Sequence, residues 1–228
     1  MIDIAENYVK IRKQIPEDVD IIVSTKTRSP EEIKQAIEAG ATAIGENYTH
    51  PEATGKYDEL GELAKNVEWH LIGHLQKNDI NKALPIFDVI QTVESLRKAK
   101  HIDKRVEKAG KSKIPVLIEV NSAREENKYG IDPEIESLHK LTEGIKDMDH
   151  LEVTGLMTMG AFHEDPEKMR PYFKRTKKLF DSAQELEKDN IKMDVLSMGM
   201  SNSYEIAIEE GANMVRIGRA IFGPRDHE

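Results

Sequence analysis

Lys26 closes a short apolar run, Ile21-Ile22-Val23-Ser24-Thr25, and stands where a strand would end. Near the far end of the chain lie Ser197-Met198-Gly199-Met200-Ser201 and Val215-Arg216-Ile217-Gly218-Arg219, two stretches rich in small residues and main-chain donors. A lysine at a strand end is well placed to condense with an aldehyde. Ser/Gly turns grip a phosphate dianion through backbone N–H groups. One ligand carries both groups, pyridoxal 5'-phosphate, and its binding is the chemistry these residues point to.

Positioning such residues takes a scaffold, and the chain alternates strand-like with helix-like stretches. Apolar residues at Ile4, Tyr8, Ile11 and Ile15 predict an opening amphipathic helix that Pro16 ends. Strand-like segments recur at 20–24, 43–45, 68–72, 87–91, 114–120, 151–157, 193–197 and 213–217. Between them Ser29 predicts a helix cap, with Pro30 in the first turn, Glu32 completing a capping box, Ile33, Ala36 and Ile37 on the buried face and Gly40 at the end. A long helix is expected from about 165 to 188, its apolar stripe formed by Met169, Phe173, Leu179, Phe180 and Leu186. Eight strands alternating with helices predict a parallel sheet, because each parallel pairing needs a crossover. Eight is also the number that closes a (β/α)8 TIM barrel, here with an extra N-terminal helix. An open doubly wound sheet would want a glycine-rich turn after its first strand, where this chain has Thr25-Lys26-Thr27-Arg28. No linker or repeat divides the chain, so residues 1–228 are expected to form a single α/β domain.

In such a barrel, functional groups collect at the carboxyl ends of the strands, and phosphate sites form after strands 7 and 8. Lys26 then follows strand 1, Glu46 and Asn47 strand 2, His74 strand 3, and Asn121 strand 5. Met159 and Gly160 follow strand 6, Ser201 and Asn202 strand 7, Gly218 and Arg219 strand 8. Position and residue type agree. With 42 acidic against 33 basic side chains and a formal charge of -9, the chain lacks the basic face that grips nucleic acid. No apolar stretch approaches the roughly 20 residues that span a bilayer. Residues Met1 to Asn7 carry no basic signal-peptide region, and the chain has no cysteine for disulfide or thiol chemistry. A cytoplasmic protein without a membrane span is expected.

Several motifs in order carry a family resemblance. Val23-Ser24-Thr25-Lys26-Thr27, Gly45-Glu46-Asn47-Tyr48, the stretch from Trp69 to Asn78, Gly155-Leu156-Met157, Leu196 to Ser201, and Met214 to Gly223 together resemble the pyridoxal phosphate homeostasis family (YggS/PROSC), whose fold is similar to the barrel domain of alanine racemase. The resemblance implies that Lys26 forms the internal aldimine and that Ser201, Gly218 and the amide of Arg219 cradle the phosphate. It implies Arg216 opposite the pyridine nitrogen and Asn47 beside the ring. The chain departs from the family pattern at Ser29 (usually proline), Ser203 (usually aspartate) and Arg219 (usually threonine, whose hydroxyl would bond the phosphate directly). A guanidinium has no proton to give a pyridine nitrogen, which weakens the ring as an electron sink.

Other readings compete residue by residue. Lys26 alone could be a solvent lysine, and Arg216 could simply pair with Glu119. His70 and His74 invite a zinc reading, but the helical H-E-x-x-H pattern does not fit a strand running into a glycine turn, and no metal is expected. Met157, Met159, Met198 and Met200 read as filler at the barrel mouth, and the loop with Asn121 and Lys128 as a flap or a solvated segment. The expected function is a carrier or buffer of pyridoxal 5'-phosphate, held on Lys26 without efficient catalysis and delivered to pyridoxal-phosphate-dependent apoenzymes. The alternative is a racemase of weak or narrow activity. Alanine racemases take their second base, a tyrosine, from an additional domain of a partner subunit, whereas this chain ends at Glu228 after the eighth unit and none of its six tyrosines is an obvious replacement. The resemblance implies a monomer. A phosphate-binding barrel enzyme without pyridoxal would leave Lys26 no special role.

Overall fold

Short strands that are apolar on both faces belong in a sheet covered on each side. The computed structural model, which describes residues 2–161 and 163–224, places eight such strands in one closed parallel barrel in sequence order. The strands are β1 (Asp20–Ser24), β2 (Ala43–Glu46), β3 (Glu68–Leu71), β4 (Val89–Val93), β5 (Ile114–Glu119), β6 (Leu151–Met157), β7 (Ile191–Ser197) and β8 (Met214–Ile217). The first pairs with the last, Ile22 opposite Arg216, which closes the ring. Met1 and Glu228, the ends of the expected domain, lie outside the described residues.

The expected opening helix is α1 (Ile4–Gln14), capped by Asp3 and ended at Ile15, which is extended because Pro16 follows. It is the extra N-terminal helix, held by Tyr8 Oη to the Gly40 carbonyl at 3.1 Å and by Asn7 Nδ2 to the Ile221 carbonyl at 3.0 Å. The capping box at Ser29 and Glu32 starts α2 (Pro30–Glu38), so serine here has a structural use of its own. The crossovers continue with α3 (Thr54–Leu60), α4 (Ile80–Ala83), α5 (Leu96–Lys108), α6 (Ile135–Ile145), α7 (Arg170–Ser182), α8 (Tyr204–Glu209) and the short α9 (Arg219–Phe222).

Two expectations are corrected. The fourth strand, expected at 87–91, is found two residues later as β4, because the Phe87 N–H still bonds the Ala83 carbonyl at 2.9 Å and Phe87 is fully buried outside the strand. The long helix at 165–188 is broken into a 3-10 turn (Pro166–Met169), α7 and a second 3-10 turn (Ala183–Leu186). Pro171 lacks the N–H a continuous helix would use, so the α-helix starts around it. Of the expected apolar stripe, Met169, Phe173, Leu179 and Phe180 are buried and Leu186 packs partly buried against the same core.

Alternation along each strand sends one set of side chains outward under the helices and the other into the barrel. Outward residues such as Val23, Ile44, Leu71, Ile90, Ile118, Leu156 and Ile217 build the main core. Inward, Ile22, Ala43, Ile72 and Met214 form a small separate cluster. His70, Gln91, Ser197 and Arg216 add a buried polar part to this interior, and that part leads to the site. At Gly155, φ is 153° and an added Cβ would lie 1.9 Å from the Val195 carbonyl oxygen, so only glycine lets β6 and β7 approach this closely.

Candidate functional site

All six residues singled out from the sequence line one cavity of about 410 Å³ at the carboxyl ends of the strands: Lys26, Asn47, Ser201, Arg216, Gly218 and Arg219. Its size is that of a small-molecule site. Ser24, Ile72, Met159, Met200, Asn202 and Ala220 complete the wall.

Lys26 is partly buried, with Nζ 5.2 Å from the centre of the exposed Tyr48 ring. Its two chain neighbours are clamped. Thr25 Oγ1 donates to Glu46 Oε1 at 2.5 Å, and the Thr27 N–H donates to Glu52 Oε1 at 2.6 Å. Lys56 joins both carboxylates, at 2.6 Å to Glu46 and 2.9 Å to Glu52, and also bonds the Thr25 carbonyl at 2.8 Å. Thr27 has φ 66°, a left-handed conformation costing a branched residue about 1–3 kcal/mol. The ionic cluster holds that turn and so fixes where Lys26 leaves the barrel. Glu46, expected in the loop after strand 2, is the last residue of β2 and has no exposed surface. Burial raises its pKa, while Lys56 and Thr25 hold the rise back.

Across the mouth, Ser201 Oγ lies 3.2 Å from both the Gly218 and the Ala220 N–H groups, tying the turn after β7 to the turn after β8. An added Cβ at Gly218 would come within 2.9 Å of the Ser24 carbonyl oxygen, so glycine is needed for this turn to close on β1. Ser203 Oγ accepts the Met200 N–H at 3.2 Å and stiffens the same loop. Arg219 lies exposed at the rim, and Asn47 is half-buried beside Lys26's strand.

Arg216 is buried and positioned by a polar relay through the barrel interior. Its Nη1 donates to Ser197 Oγ at 2.7 Å and its Nη2 to the Thr158 carbonyl at 2.8 Å. Ser197 Oγ donates to Gln91 Oε1 at 2.7 Å, and Gln91 Nε2 lies 2.8 Å from His70 Nδ1. His70 Nε2 lies 2.8 Å from Glu68 Oε2, so the bond order assigns the proton to Nε2. Burial lowers the Arg216 pKa to about 10, opposed by the charge of Glu119, and the guanidinium stays a cation at neutral pH. Arg216 and Glu119 feel each other's field, while the guanidinium's hydrogen bonds go to Ser197 and Thr158.

His70 and His74 are engaged elsewhere. His74 stacks on Tyr129 with ring centres 3.8 Å apart and meets Lys98 Nζ at 3.1 Å through Nδ1; among the described residues no group of three or more metal-ligating side chains converges. The loop after β5 is organised by Asn121, whose Nδ2 bonds the Glu125 carbonyl at 2.8 Å, and by Lys128, whose Nζ bonds the Gly160 carbonyl at 3.1 Å. Sequence reasoning missed Gln91, Ser197 and Lys56 as supports. The signal for the first two was available: a polar side chain inside an apolar strand of a sheet covered on both faces must point into the barrel.

The alanine racemase N-terminal domain family matches residues 2–226. A pyridoxal phosphate homeostasis protein of Aquifex aeolicus is 39% identical over 91% of this chain and 87% of its own length. Among solved structures, PipY of Synechococcus elongatus without PLP superposes with a TM-score of 0.89 at 30% identity, covering 96% of this chain and 100% of that one. PipY with PLP bound gives a TM-score of 0.86 at 28% identity, with the same coverage.

Proposed function

The chain belongs to the alanine racemase N-terminal domain family and to the pyridoxal phosphate homeostasis proteins, and from that premise we propose that it binds pyridoxal 5'-phosphate and carries or buffers it, with Lys26 as the point of covalent attachment. The observation that carries this reading is the convergence of a strand-end lysine and the Ser201–Gly218–Ala220 turns on one cavity.

The residues fit the group. Lys26 supplies an amine inside the cavity, the linked turns after β7 and β8 supply a hydroxyl and main-chain donors for a phosphate, and Asn47 and Ile72 line the space between. When bound, pyridoxal phosphate supplies an aldehyde that reacts reversibly with amines. Arg216 brings a fixed positive charge that opposes protonation of a heterocycle placed beside it, which favours holding over carbanion chemistry. In this reading residues 1–228 act as one cytoplasmic binding unit, a monomer delivering the cofactor to apoenzymes that depend on it.

The test is direct. Purified protein incubated with pyridoxal 5'-phosphate should turn yellow, and borohydride should leave a pyridoxyl mass on the peptide containing Lys26. Lys26→Ala should lose both signals. A colourless protein, or a variant labelled as well as the unmodified chain, would overturn the assignment. Exchange of the alanine α-proton in deuterated buffer should stay at background, and efficient exchange would replace the carrier with an enzyme.

A further inference from the structure

The formal charge of -9 led to the expectation that the chain has no basic face, and α5 corrects it. Its core side carries Ala99, Ile102 and Val106, all buried. On the other side Arg97, Lys104 and Lys108 follow at i, i+7 and i+11 and so share a face, with Lys100 and Arg105 flanking it. Arg105 is half-buried and the other four are exposed. Lys77, exposed in the 3-10 turn Lys77–Asp79, adds a further cation. The pKa of His101, on the same face, is lowered by burial and then by the charges of Lys77, Arg97, Arg105 and Lys104, so these cations lie close enough to act together. Among the described residues none of them forms an ion pair: Glu94 is taken by Lys98 on the core side of the helix, and Asp103 faces His150. Like charges at i, i+4, as at Lys100, Lys104 and Lys108, repel and weaken a helix. The face carries a repulsion that an anionic neighbour would relieve.

We propose that this face of α5 is a docking surface for an acidic patch of another protein. The helix starts just past the carboxyl end of β4, and Lys98 Nζ lies 3.1 Å from His74 Nδ1 in the loop after β3. The basic strip therefore begins at the rim of the barrel mouth and runs back along the outside. Size selects among anions. The 13 residues of α5 span about 20 Å, and exposed charges are screened beyond about 8 Å at physiological salt. A nucleic acid or an anionic bilayer extends past the strip and there meets the rest of the chain, which is more acidic than the total of -9. Residues 96–108 also include no Phe, Tyr or Trp to stack a base, and between the cations no apolar side chain is exposed to enter a bilayer. A folded protein with a compact acidic patch matches the strip and ends where it ends. A partner seated there lies beside the cavity mouth, which suits a protein that receives the cofactor, and that identification rests on the function proposed above.

Fluorescence anisotropy on cofactor-free protein tests this with a labelled decaglutamate peptide as the acidic probe. The peptide should bind at low salt and be released as salt is raised. Lys100→Glu combined with Lys104→Glu should weaken binding at least about tenfold. The same charge change at Lys10 and Lys13, both exposed on α1, should leave the affinity within about twofold. If the reversed variant does not fold, Lys100→Gln with Lys104→Gln decides the matter, and it should weaken binding at least about threefold. No peptide binding, unchanged binding in the strip variants, or tighter binding of a thymidine decamer or of phosphatidylserine vesicles overturns the docking surface. A dimer in sedimentation that the strip variants dissociate gives the face to a second copy of this chain and overturns it as well. Borohydride labelling of Lys26 in the same preparation separates the two readings. Labelling without strip-dependent peptide binding sinks the docking surface alone, and strip-dependent binding without labelling sinks the cofactor assignment alone.

Discussion

Substituting Lys56 by methionine keeps most of the side-chain volume and removes the one charge that Glu46 and Glu52 share. Nζ lies 2.6 Å from Glu46, 2.8 Å from the Thr25 carbonyl and 2.9 Å from Glu52, and Glu46 has no exposed surface. Removing one partner of a buried ion pair costs about 3–5 kcal/mol, because the other charge is left uncompensated. Glu46 can escape part of that cost by taking up a proton, which places the expected loss near 3 kcal/mol at pH 8, at the lower end of that range. Burial raises the folded pKa of Glu46, and losing Lys56 raises it further, while the unfolded value stays ordinary. The penalty is therefore full above the raised folded pKa and shrinks as pH falls through it. Glu52 does not add to this difference: burial raises its pKa, but the Thr27 N–H and Lys56 outweigh burial and leave it lowered, so the stability it contributes is lost only on acidification below the ordinary carboxylate range. Urea unfolding at pH 8 and pH 5 should thus give a clearly smaller penalty at the lower pH. Glu46→Gln combined with Lys56→Met should restore more than half of the loss at pH 8, since it removes the orphaned charge. A penalty below about 1 kcal/mol at pH 8, or one equal at both pH values, would refute the ionic clamp around Lys26.

Ser201→Ala leaves the Gly218 and Ala220 N–H groups without their shared acceptor; a stability loss of about 1–2 kcal/mol and weaker inhibition of cofactor uptake by inorganic phosphate are expected, by urea melts and labelling competition. Arg216→Met strips the cation from the Ser197–Gln91–His70 relay and should cost about 3 kcal/mol in urea unfolding, with Arg216→Lys costing measurably less. Gly155→Ala drives a methyl into the Val195 carbonyl at 1.9 Å, and a loss of about 3 kcal/mol or more, or failure to recover folded protein, is expected.

Much of the barrel was legible because its local signals agree with one another. Ser29, Pro30 and Glu32 start a helix whichever sheet they face, and the run from Asp20 to Ser24 has the length and both-sided apolarity of a buried strand. Boundaries failed where a tertiary contact overrode periodicity: Phe87 is apolar enough for a strand but completes a helical turn, and Pro171 divides a stripe that otherwise reads as one helix.

From its residues alone, the chain determined the alternation of strands and helices, the count of eight and the placement of Lys26, Ser201 and Gly218 at strand ends, because each of these follows from spacing over a few residues. Which polar groups meet was decided only by closure of the barrel. Glu46 finds Lys56, Arg216 finds Ser197 and through it Gln91, and Glu119 faces a cavity bounded by loops from β5, β6 and β7. Such meetings depend on strand order, register and the choice of inward face, and a side chain's partner across a barrel interior leaves no local trace in the run of residues around it.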